Sequence, residues 1–290
     1  MKRFCAILFA ILAAVPALPC TTAVVSAGAS YSGRPMLWKQ RDAGDQANIM
    51  VRVTGRGYAY TGIFAVSDTL RAKCYGGLNE AGFAIINNLS YNLRPDSLGL
   101  DTRNGELMAR ALSECATVED FLLLLDSIPA PRELSANFGV ADSRGGAAYF
   151  EAGDSTFVRY DVPADDLLWR TNYSLSGDPS RGRGQQRYAT MDVLTEPPGL
   201  FSPSFFLNAG RTYIRDGRDV LPGATHLTET GFIPRSTTVS GIVIECPVAE
   251  GEKGLIWCAT GYTPCCYAIP VWEGAPMPLA VQGSANELAI

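Results

Sequence analysis

The sequence predicts an α+β fold, and three observations support this class. Short stretches rich in β-branched and aromatic residues alternate with turns that contain Gly, Asp or Pro, which is the pattern of strands. Two helical segments interrupt this pattern from about residue 106 onwards, and two more lie between residues 180 and 215. Strands and helices therefore occur in blocks, as in layered α+β domains, rather than in alternation as in βαβ units.

The strands can be assigned in chain order from alternating apolar residues bounded by turn residues. An early pair, 20–27 and 36–41, is joined by a turn around Gly33, and a later pair is joined by the turn before Gly82. The predicted strands are 20–27, 36–41, 48–53, 58–66, two within 76–88, then 137–142, 147–151, 157–162, 167–172, 238–246, 255–260 and 266–272.

The helices follow from apolar periodicity and from a capping signal. From Glu106 onwards, apolar residues fall on one face of a predicted helix. A second helix begins after Thr117, because Asp120 three residues later completes a capping-box pattern. Its leucine run is apolar on all sides, so we expect it to be sandwiched between other elements. Two later helices are predicted in the second half of 180–194 and near 205–215.

The first nineteen residues have the pattern of a secretory leader. Lys2 and Arg3 precede a short apolar stretch, and small residues near Ala17 offer a cleavage site. The apolar stretch is too short to span a bilayer. We therefore predict a leader over 1–19, a single catalytic domain over 20–290, and an exported protein in the periplasm or outside the cell. Removal of the leader would make Cys20 the first residue.

Composition limits the kinds of partner and cofactor. The leader holds two of the 24 basic residues and none of the 29 acidic ones, so the mature chain carries a net charge of −7. This charge argues against nucleic acid and anionic membranes as partners. The lone histidine, His226, and the absence of CxxC spacing argue against a zinc site, and no cofactor is expected.

Cysteine content indicates at least one free thiol. Cys5 lies in the leader, so seven of the eight cysteines remain, which is an odd number. If Cys20 is a nucleophile, the other six either form disulfides in an oxidising compartment or serve as small buried side chains.

An N-terminal cysteine could combine a nucleophile and a base. With one histidine in the chain, a Ser-His-Asp or Cys-His arrangement is improbable. A free α-amine has a pKa near 7.7–8.0, so it can accept the thiol proton at ambient pH. The thiolate of Cys20 could then attack an amide carbonyl and form a thioester.

Four features in a fixed order resemble one protein family. They are Cys20-Thr21, the basic-x-x-Asp pattern of 39–42, the Gly-Leu-Asn-Glu-Ala-Gly turn of 77–82 followed by two strand amides, and Thr171-Asn172. The set resembles the N-terminal nucleophile (Ntn) cysteine hydrolases of the penicillin V acylase, choloylglycine hydrolase and isopenicillin N acyltransferase type, from residue 20 to about residue 272. The resemblance implies a four-layer αββα sandwich and a small-molecule N-acyl amide substrate.

The resemblance also implies roles for the residues closest to the predicted nucleophile. Cys20 would be both nucleophile and base, and Asp42 would hold its α-amine. Asn87 or Asn88 would form part of the oxyanion hole. We favour Asn87 for this role and expect Asn88 to contact the substrate.

Four further residues complete the implied site. Asn172 would contact the oxyanion, and Arg187 would support the site from behind. The family usually has an arginine three residues before its aspartate, where this chain has Lys39, together with an additional Arg41 that we assign to substrate binding.

The sequence is also compatible with other interpretations. One is an Ntn cysteine dipeptidase, and another is a lipid-anchored surface protein acylated at Cys20, although Pro19 is an unusual residue before a lipidation site. Asn88 and Asn172 each begin an N-glycosylation sequon, which would place them on the surface. Aromatic residues could line an acyl pocket or pack in the core: Tyr58, Tyr60, Phe201 and Phe205.

Overall fold

The computed structural model describes residues 20–44, 47–93, 102–196, 199–215, 218–220 and 231–282. The predicted leader and His226 lie outside these residues, and the division into leader and single domain stays a prediction. Within the described parts, the helices are α1 (Asn104–Glu114), α2 (Val118–Ser127), α3 (Gln185–Leu194) and α4 (Pro203–Ala209). The strands are β1 (Thr21–Val25), β2 (Met36–Asp42), β3 (Asn48–Val53), β4 (Tyr60–Ala65), β5 (Gly76–Asn79), β6 (Ala84–Leu89), β7 (Ala136–Ala141), β8 (Ala147–Ala152), β9 (Phe157–Asp161), β10 (Leu167–Arg170), β11 (Ile214–Arg215), β12 (Arg218–Asp219), β13 (Thr238–Glu245), β14 (Leu255–Thr260) and β15 (Ile269–Trp272).

Two antiparallel sheets form the centre of the fold. The seven-stranded sheet follows chain order from β3 to β9, and the six-stranded sheet has the order β10-β1-β2-β13-β14-β15. Strand β10 follows β9 in the chain but pairs with β1, where Thr22 lies opposite Arg170. This crossover brings the segment after β10 beside the start of β1, where the predicted nucleophile lies.

Apolar clusters define four layers. Residues of both sheets pack between them, including Val24, Leu37 and Ile86. Helices α1 and α2 cover the outer face of the seven-stranded sheet, and α3 and α4 cover the outer face of the six-stranded sheet, where Phe206 packs against Trp38. The order helix, sheet, sheet, helix confirms the predicted α+β class and the αββα sandwich.

Helix α2 begins as predicted but is exposed on one side. The Thr117 hydroxyl accepts a hydrogen bond from Asp120 N at 3.1 Å, and the Asp120 carboxylate accepts one from Thr117 N at 2.9 Å. Phe121 and Leu125 are buried, whereas Leu123 is 66% exposed. The prediction of a sandwiched helix is wrong, because α2 belongs to an outer layer and only one of its faces meets the sheet.

The cysteines of the described residues are all unpaired. Cys74, Cys115, Cys246, Cys258 and Cys266 are buried, and Cys265 is exposed. Of the two alternatives for the six cysteines other than Cys20, the described residues contain no disulfide, and five of the six are buried small side chains. Among the described residues, every helix is too short or too polar to be a membrane span.

Candidate active site

Cys20 is fixed at three points at the start of β1. Its backbone nitrogen donates a hydrogen bond to Asn172 Oδ1 at 2.7 Å, and its carbonyl oxygen accepts one from Arg187 Nη1. Its Sγ atom lies 3.9 Å from the carbonyl oxygen of Asp42. The residue is 7% exposed, so a small opening connects it with solvent.

Asn172 and Arg187 together form the support behind Cys20. Asn172 Oδ1 accepts a second hydrogen bond from Arg187 Nη2 at 2.8 Å, and its Nδ2 donates to Leu89 O at 2.8 Å. Arg187 also donates to the Thr21 hydroxyl at 2.8 Å. Burial lowers the pKa of Arg187 to about 10, which still leaves it charged at neutral pH. The resemblance implies that Asn172 contacts the oxyanion, whereas here its oxygen faces the nitrogen of Cys20.

A buried ion pair holds the segment that carries Asn172. The Glu151 carboxylate accepts a hydrogen bond from Arg170 Nε at 2.6 Å and further ones from the backbone nitrogens of Leu175 at 3.0 Å and Ser176 at 2.7 Å. Both charged side chains are at most 1% exposed. Both oxygens of this carboxylate accept hydrogen bonds, and two of the donors, Leu175 N and Ser176 N, follow Asn172 in the chain. Glu151 therefore anchors the segment after β10 on the far side of Asn172.

The Asp42 carboxylate faces β13 and the segment before it. Its Oδ1 accepts a hydrogen bond from the Thr238 hydroxyl at 2.5 Å, and its Oδ2 lies 3.4 Å from Arg235 Nε. Burial raises the pKa of Asp42 to about 6, although Arg235 opposes this shift. The resemblance implies that Asp42 holds the α-amine, but in the described residues the Cys20 nitrogen donates to Asn172.

Arg235 was missed in the sequence analysis. It is 4% exposed, and burial lowers its pKa. Its side chain donates from Nη2 to the carbonyl oxygen of Phe232 at 2.7 Å, and its backbone nitrogen donates to the Thr238 hydroxyl at 3.0 Å. No motif marks this arginine, because it meets Asp42 only through the pairing of β2 with β13.

Lys39 orients the side chain of Asn87. Its Nζ donates to Asn87 Oδ1 at 2.7 Å and to the carbonyl oxygen of Tyr75 at 2.6 Å. Burial lowers the pKa of Lys39 to about 8. Since the amide oxygen of Asn87 accepts from Lys39, its Nδ2 is directed elsewhere, and it donates to no described residue. Asn87 lines the cavity that contains Cys20.

Asn88 lies on the opposite side of β6 and has its polar atoms engaged. Its Oδ1 accepts a hydrogen bond from the Thr22 hydroxyl at 2.8 Å, and its Nδ2 donates to the Thr171 carbonyl oxygen. These contacts join β6 to β1 and to the segment after β10. At 1% and 0% exposure, Asn88 and Asn172 are not surface residues.

A cavity of about 220 Å³ opens at Cys20. Six of the eight predicted site residues line it, and Asn172 and Arg187 lie behind Cys20. Arg41 lies on its wall with its Cζ atom 3.8 Å from the ring centre of Tyr75. The lining residues are Cys20, Lys39, Arg41, Asp42, Ala43, Lys73, Tyr75, Asn87, Asn88, Leu89, Thr102, Asn104 and Gly105.

The aromatic residues proposed for an acyl pocket lie elsewhere. Phe201 and Phe205 pack in the cluster beneath α4. Tyr58 and Tyr60 line a separate cavity of about 370 Å³ beside α1. Among the residues that the structure describes, no group of three or more His, Cys, Asp or Glu side chains could hold a metal ion.

Known proteins resemble this chain in both sequence and structure. The family model of acyl-coenzyme A:6-aminopenicillanic acid acyl-transferase matches residues 44–192, about half of the chain. A search of curated proteins gave no match. Similar solved structures include penicillin V acylase from Agrobacterium tumefaciens, with 16% identity, a TM-score of 0.47 and coverage of 86% of each chain. They also include a variant of conjugated bile acid hydrolase from Clostridium perfringens, with 11% identity, a TM-score of 0.49 and coverage of 90% of this chain and 99% of that one.

Family membership follows from the match in sequence, and the fold assignment follows from the strand order and the layers described above. The matched region begins just after Asp42 and extends through Asn87, Asn172 and Arg187. This chain belongs to the acyl-coenzyme A:6-aminopenicillanic acid acyl-transferase family, and the resemblance to Ntn hydrolases of this type is confirmed.

Proposed function

We propose that this chain is an exported Ntn-type cysteine amidohydrolase or acyltransferase that acts in the periplasm or outside the cell. It cleaves linear amide C–N bonds of N-acyl amines or N-acyl amino acids through a thioester on Cys20. One observation carries this proposal: the nitrogen and the carbonyl oxygen of Cys20 are both held by buried side chains at the wall of a cavity. Family membership supports acyl transfer as the type of chemistry.

The proposed acylation step uses the two functional groups of Cys20. Once the preceding residues are removed, its nitrogen is a free amine that can accept the thiol proton. The thiolate attacks the amide carbonyl, and an S–C bond forms. The carbonyl oxygen becomes an oxyanion, and the Asn87 Nδ2 stabilises it by donating a hydrogen bond. As the C–N bond breaks, the ammonium group of Cys20 returns the proton to the leaving amine.

The deacylation step reverses this proton movement. Water or a second amine attacks the thioester carbonyl and gives a proton to the Cys20 nitrogen. The S–C bond then breaks, the thiolate is reprotonated, and either a carboxylic acid or a new amide is released. Asn172 and Arg187 keep the nitrogen in one position during both steps.

Lys39 supports both steps through charge and orientation. Its hydrogen bond to Asn87 Oδ1 fixes the amide so that Nδ2 can face the oxyanion. In its charged form, Lys39 also stabilises the thiolate and the oxyanion, both of which are negative. An aliphatic residue at this position would provide neither effect.

The charge of the cavity favours N-acyl substrates over dipeptides. Three lining residues are cationic, namely Lys39, Arg41 and Lys73, whereas the one acidic lining residue among those described is Asp42. Asp42 already faces Thr238 and Arg235. A dipeptide would bring a free ammonium group into this positive site, while an N-acyl amide has none.

Burial of Cys20 argues against a lipid-anchored surface protein. A lipid attached to Sγ would have to leave the protein through an opening that exposes 7% of the residue. Lipidation would also block the nitrogen that Asn172 holds.

The test is a comparison of two cysteine variants in protein secreted with its own leader. N-Phenylacetyl and N-decanoyl amides are supplied, and released amine is measured. Cys20→Ala should abolish turnover, whereas Cys265→Ala, which removes an exposed thiol outside the cavity, should not change it. Equal turnover by the wild-type protein and Cys20→Ala would contradict the proposal. Cell fractionation of the same samples tests export.

A further inference from the structure

Arg41 is buried, and among the described residues it has no carboxylate within ion-pair distance. Arg170, by comparison, pairs with Glu151 at 2.6 Å. In the part of the chain that the structure describes, the hydrogen bond from Arg41 Nη1 to Asn48 Oδ1 at 2.9 Å is the single one that the Arg41 side chain makes. A guanidinium has five N–H donors, so most of those on Arg41 are available to a ligand.

The arrangement of Arg41 suits a fixed anion-binding group. It is 6% exposed, its guanidinium stacks on Tyr75, and it lines the cavity that contains Cys20. Stacking and the Asn48 contact hold the planar group in one orientation, so little conformational entropy remains to be lost on binding. A buried cation is costly without a counter-charge, and neighbouring Lys39 carries the same charge. A bound anion would relieve both costs.

Strand register places this cation close to the reacting atoms. In the pairing of β1 with β2, Thr21 lies opposite Gln40, so the next position brings Cys20 opposite Arg41. Side chains directly opposite in antiparallel strands have Cβ atoms roughly 4.5–5.5 Å apart. Cys20 and Arg41 also line the same cavity, so an anion bound by Arg41 is within reach of a substrate whose carbonyl carbon Cys20 attacks.

We infer that Arg41 binds the α-carboxylate of the amine half of the substrate, so that the chain acts on N-acyl α-amino acids in preference to N-acyl amines. This inference rests on the proposed function. In an N-acyl α-amino acid, three bonds separate the carboxylate carbon from the scissile carbonyl carbon, which places them about 3–4 Å apart. The two N–H groups of a guanidinium edge match the two carboxylate oxygens. On the acyl side, a carboxylate carbon three bonds from the scissile carbonyl carbon would require a succinyl-type group.

The experiment compares substrates that share an acyl group. N-Phenylacetylglycine is paired with N-phenylacetylglycinamide, and N-decanoylglycine with N-decanoylglycinamide. For the wild-type protein, kcat/KM should favour the carboxylate member of each pair by roughly 10–100-fold. Arg41→Gln should bring this ratio near one, and Arg41→Lys should give an intermediate ratio. Arg110→Gln, which removes an exposed arginine paired with Glu114, should retain the wild-type ratio.

The outcomes separate this inference from the proposed function. Equal kcat/KM for both members of each pair in the wild-type protein would overturn the inference while leaving amide cleavage intact. Faster cleavage of an N-succinyl alkylamide than of either glycine conjugate would also overturn it, since the anion would then belong to the acyl half. If no amide is cleaved and no thioester forms, the proposed function itself fails. If an Arg41 variant does not fold, a wild-type ratio near one still overturns the inference.

Discussion

Asn172 has two alternative roles, and an Asn172→Asp substitution separates them. The resemblance to Ntn hydrolases implies an oxyanion donor, whereas the structure has Asn172 Oδ1 accepting from the Cys20 nitrogen at 2.7 Å. Aspartate keeps an oxygen acceptor at this position but has no N–H to give to an oxyanion. If the side chain holds the amine, the variant should retain turnover. If it binds the oxyanion, turnover should be lost.

The structure also gives the direction of a pH effect. A carboxylate beside the Cys20 amine stabilises the ammonium form and raises its pKa from about 7.7–8.0. Arg187 Nη2, which lies 2.8 Å from the same oxygen, offsets part of this effect. For Asn172→Asp we therefore expect the acid limb of the kcat/KM profile to move to higher pH by about one unit. This is the low end of the roughly 1–3 units by which a nearby opposite charge typically shifts a pKa. Asn172→Ala has no acceptor for the amine. Its transition-state stabilisation should fall by about 1.5–3 kcal/mol, which lowers kcat/KM by roughly 10–150-fold at every pH.

The assay is kcat/KM of the mature protein and both variants from about pH 5 to pH 10, where the profile reports groups of the free enzyme. Thermal unfolding serves as a control, because both substitutions remove the hydrogen bond to Leu89 O. A folded Asn172→Asp protein that is inactive at every pH would refute the role in holding the amine. An acid limb at the wild-type position would do the same.

Three further predictions concern the other residues of the site. Asn87→Ala should lower kcat by roughly 10²–10³-fold, because the oxyanion donor is lost. Asn88→Ala should mainly lower the melting temperature, because the Asn88 side chain forms hydrogen bonds with Thr22 and Thr171. Steady-state kinetics and calorimetry that gave these two effects for the opposite variants would contradict the prediction. Lys39→Met should lower kcat about tenfold or more through weaker orientation of Asn87 and loss of a nearby positive charge, and an unchanged kcat would exclude this role. Because burial raises the pKa of Asp42 to about 6, the native state holds this proton more tightly than the unfolded chain does, and stability from this group falls as the pH rises from about 4 to about 6. Asp42→Asn removes that dependence, so its unfolding free energy relative to wild type should increase by up to about 3 kcal/mol over this range, and urea titrations that give a constant difference would contradict it.

Local signals in the sequence were sufficient for most of the fold. The strand predicted over 255–260 is β14, and Thr117 caps α2 with Asp120 as the capping box requires. Each of these depends on residues that are close in the chain. The exposure of Leu123 could not be predicted in the same way, because it depends on which layer lies next to α2 and not on the leucine run itself.

Motifs in the sequence were sufficient to predict part of the site. Lys39, Asp42 and Asn87 line one cavity with Cys20, as their order in the sequence suggested. Arg235 belongs to no motif and reaches Asp42 through a strand pairing between distant segments. The orientation of the Asn172 side-chain amide could not be predicted from the sequence either. It depends on hydrogen bonds to Leu89 O in β6 and from Arg187 in α3.

The central claim is that the sulfur and the nitrogen of one N-terminal residue, Cys20, carry out the chemistry. The most direct test is mass analysis of the secreted protein after incubation with a slowly hydrolysed N-acyl amide, with peptide mapping before and after hydroxylamine treatment. We predict a chain that begins at Cys20 with a free α-amine and carries the acyl group as a hydroxylamine-labile thioester on Sγ. An active protein that begins upstream of Cys20, or that carries an acyl or lipid group on this nitrogen, would contradict the claim.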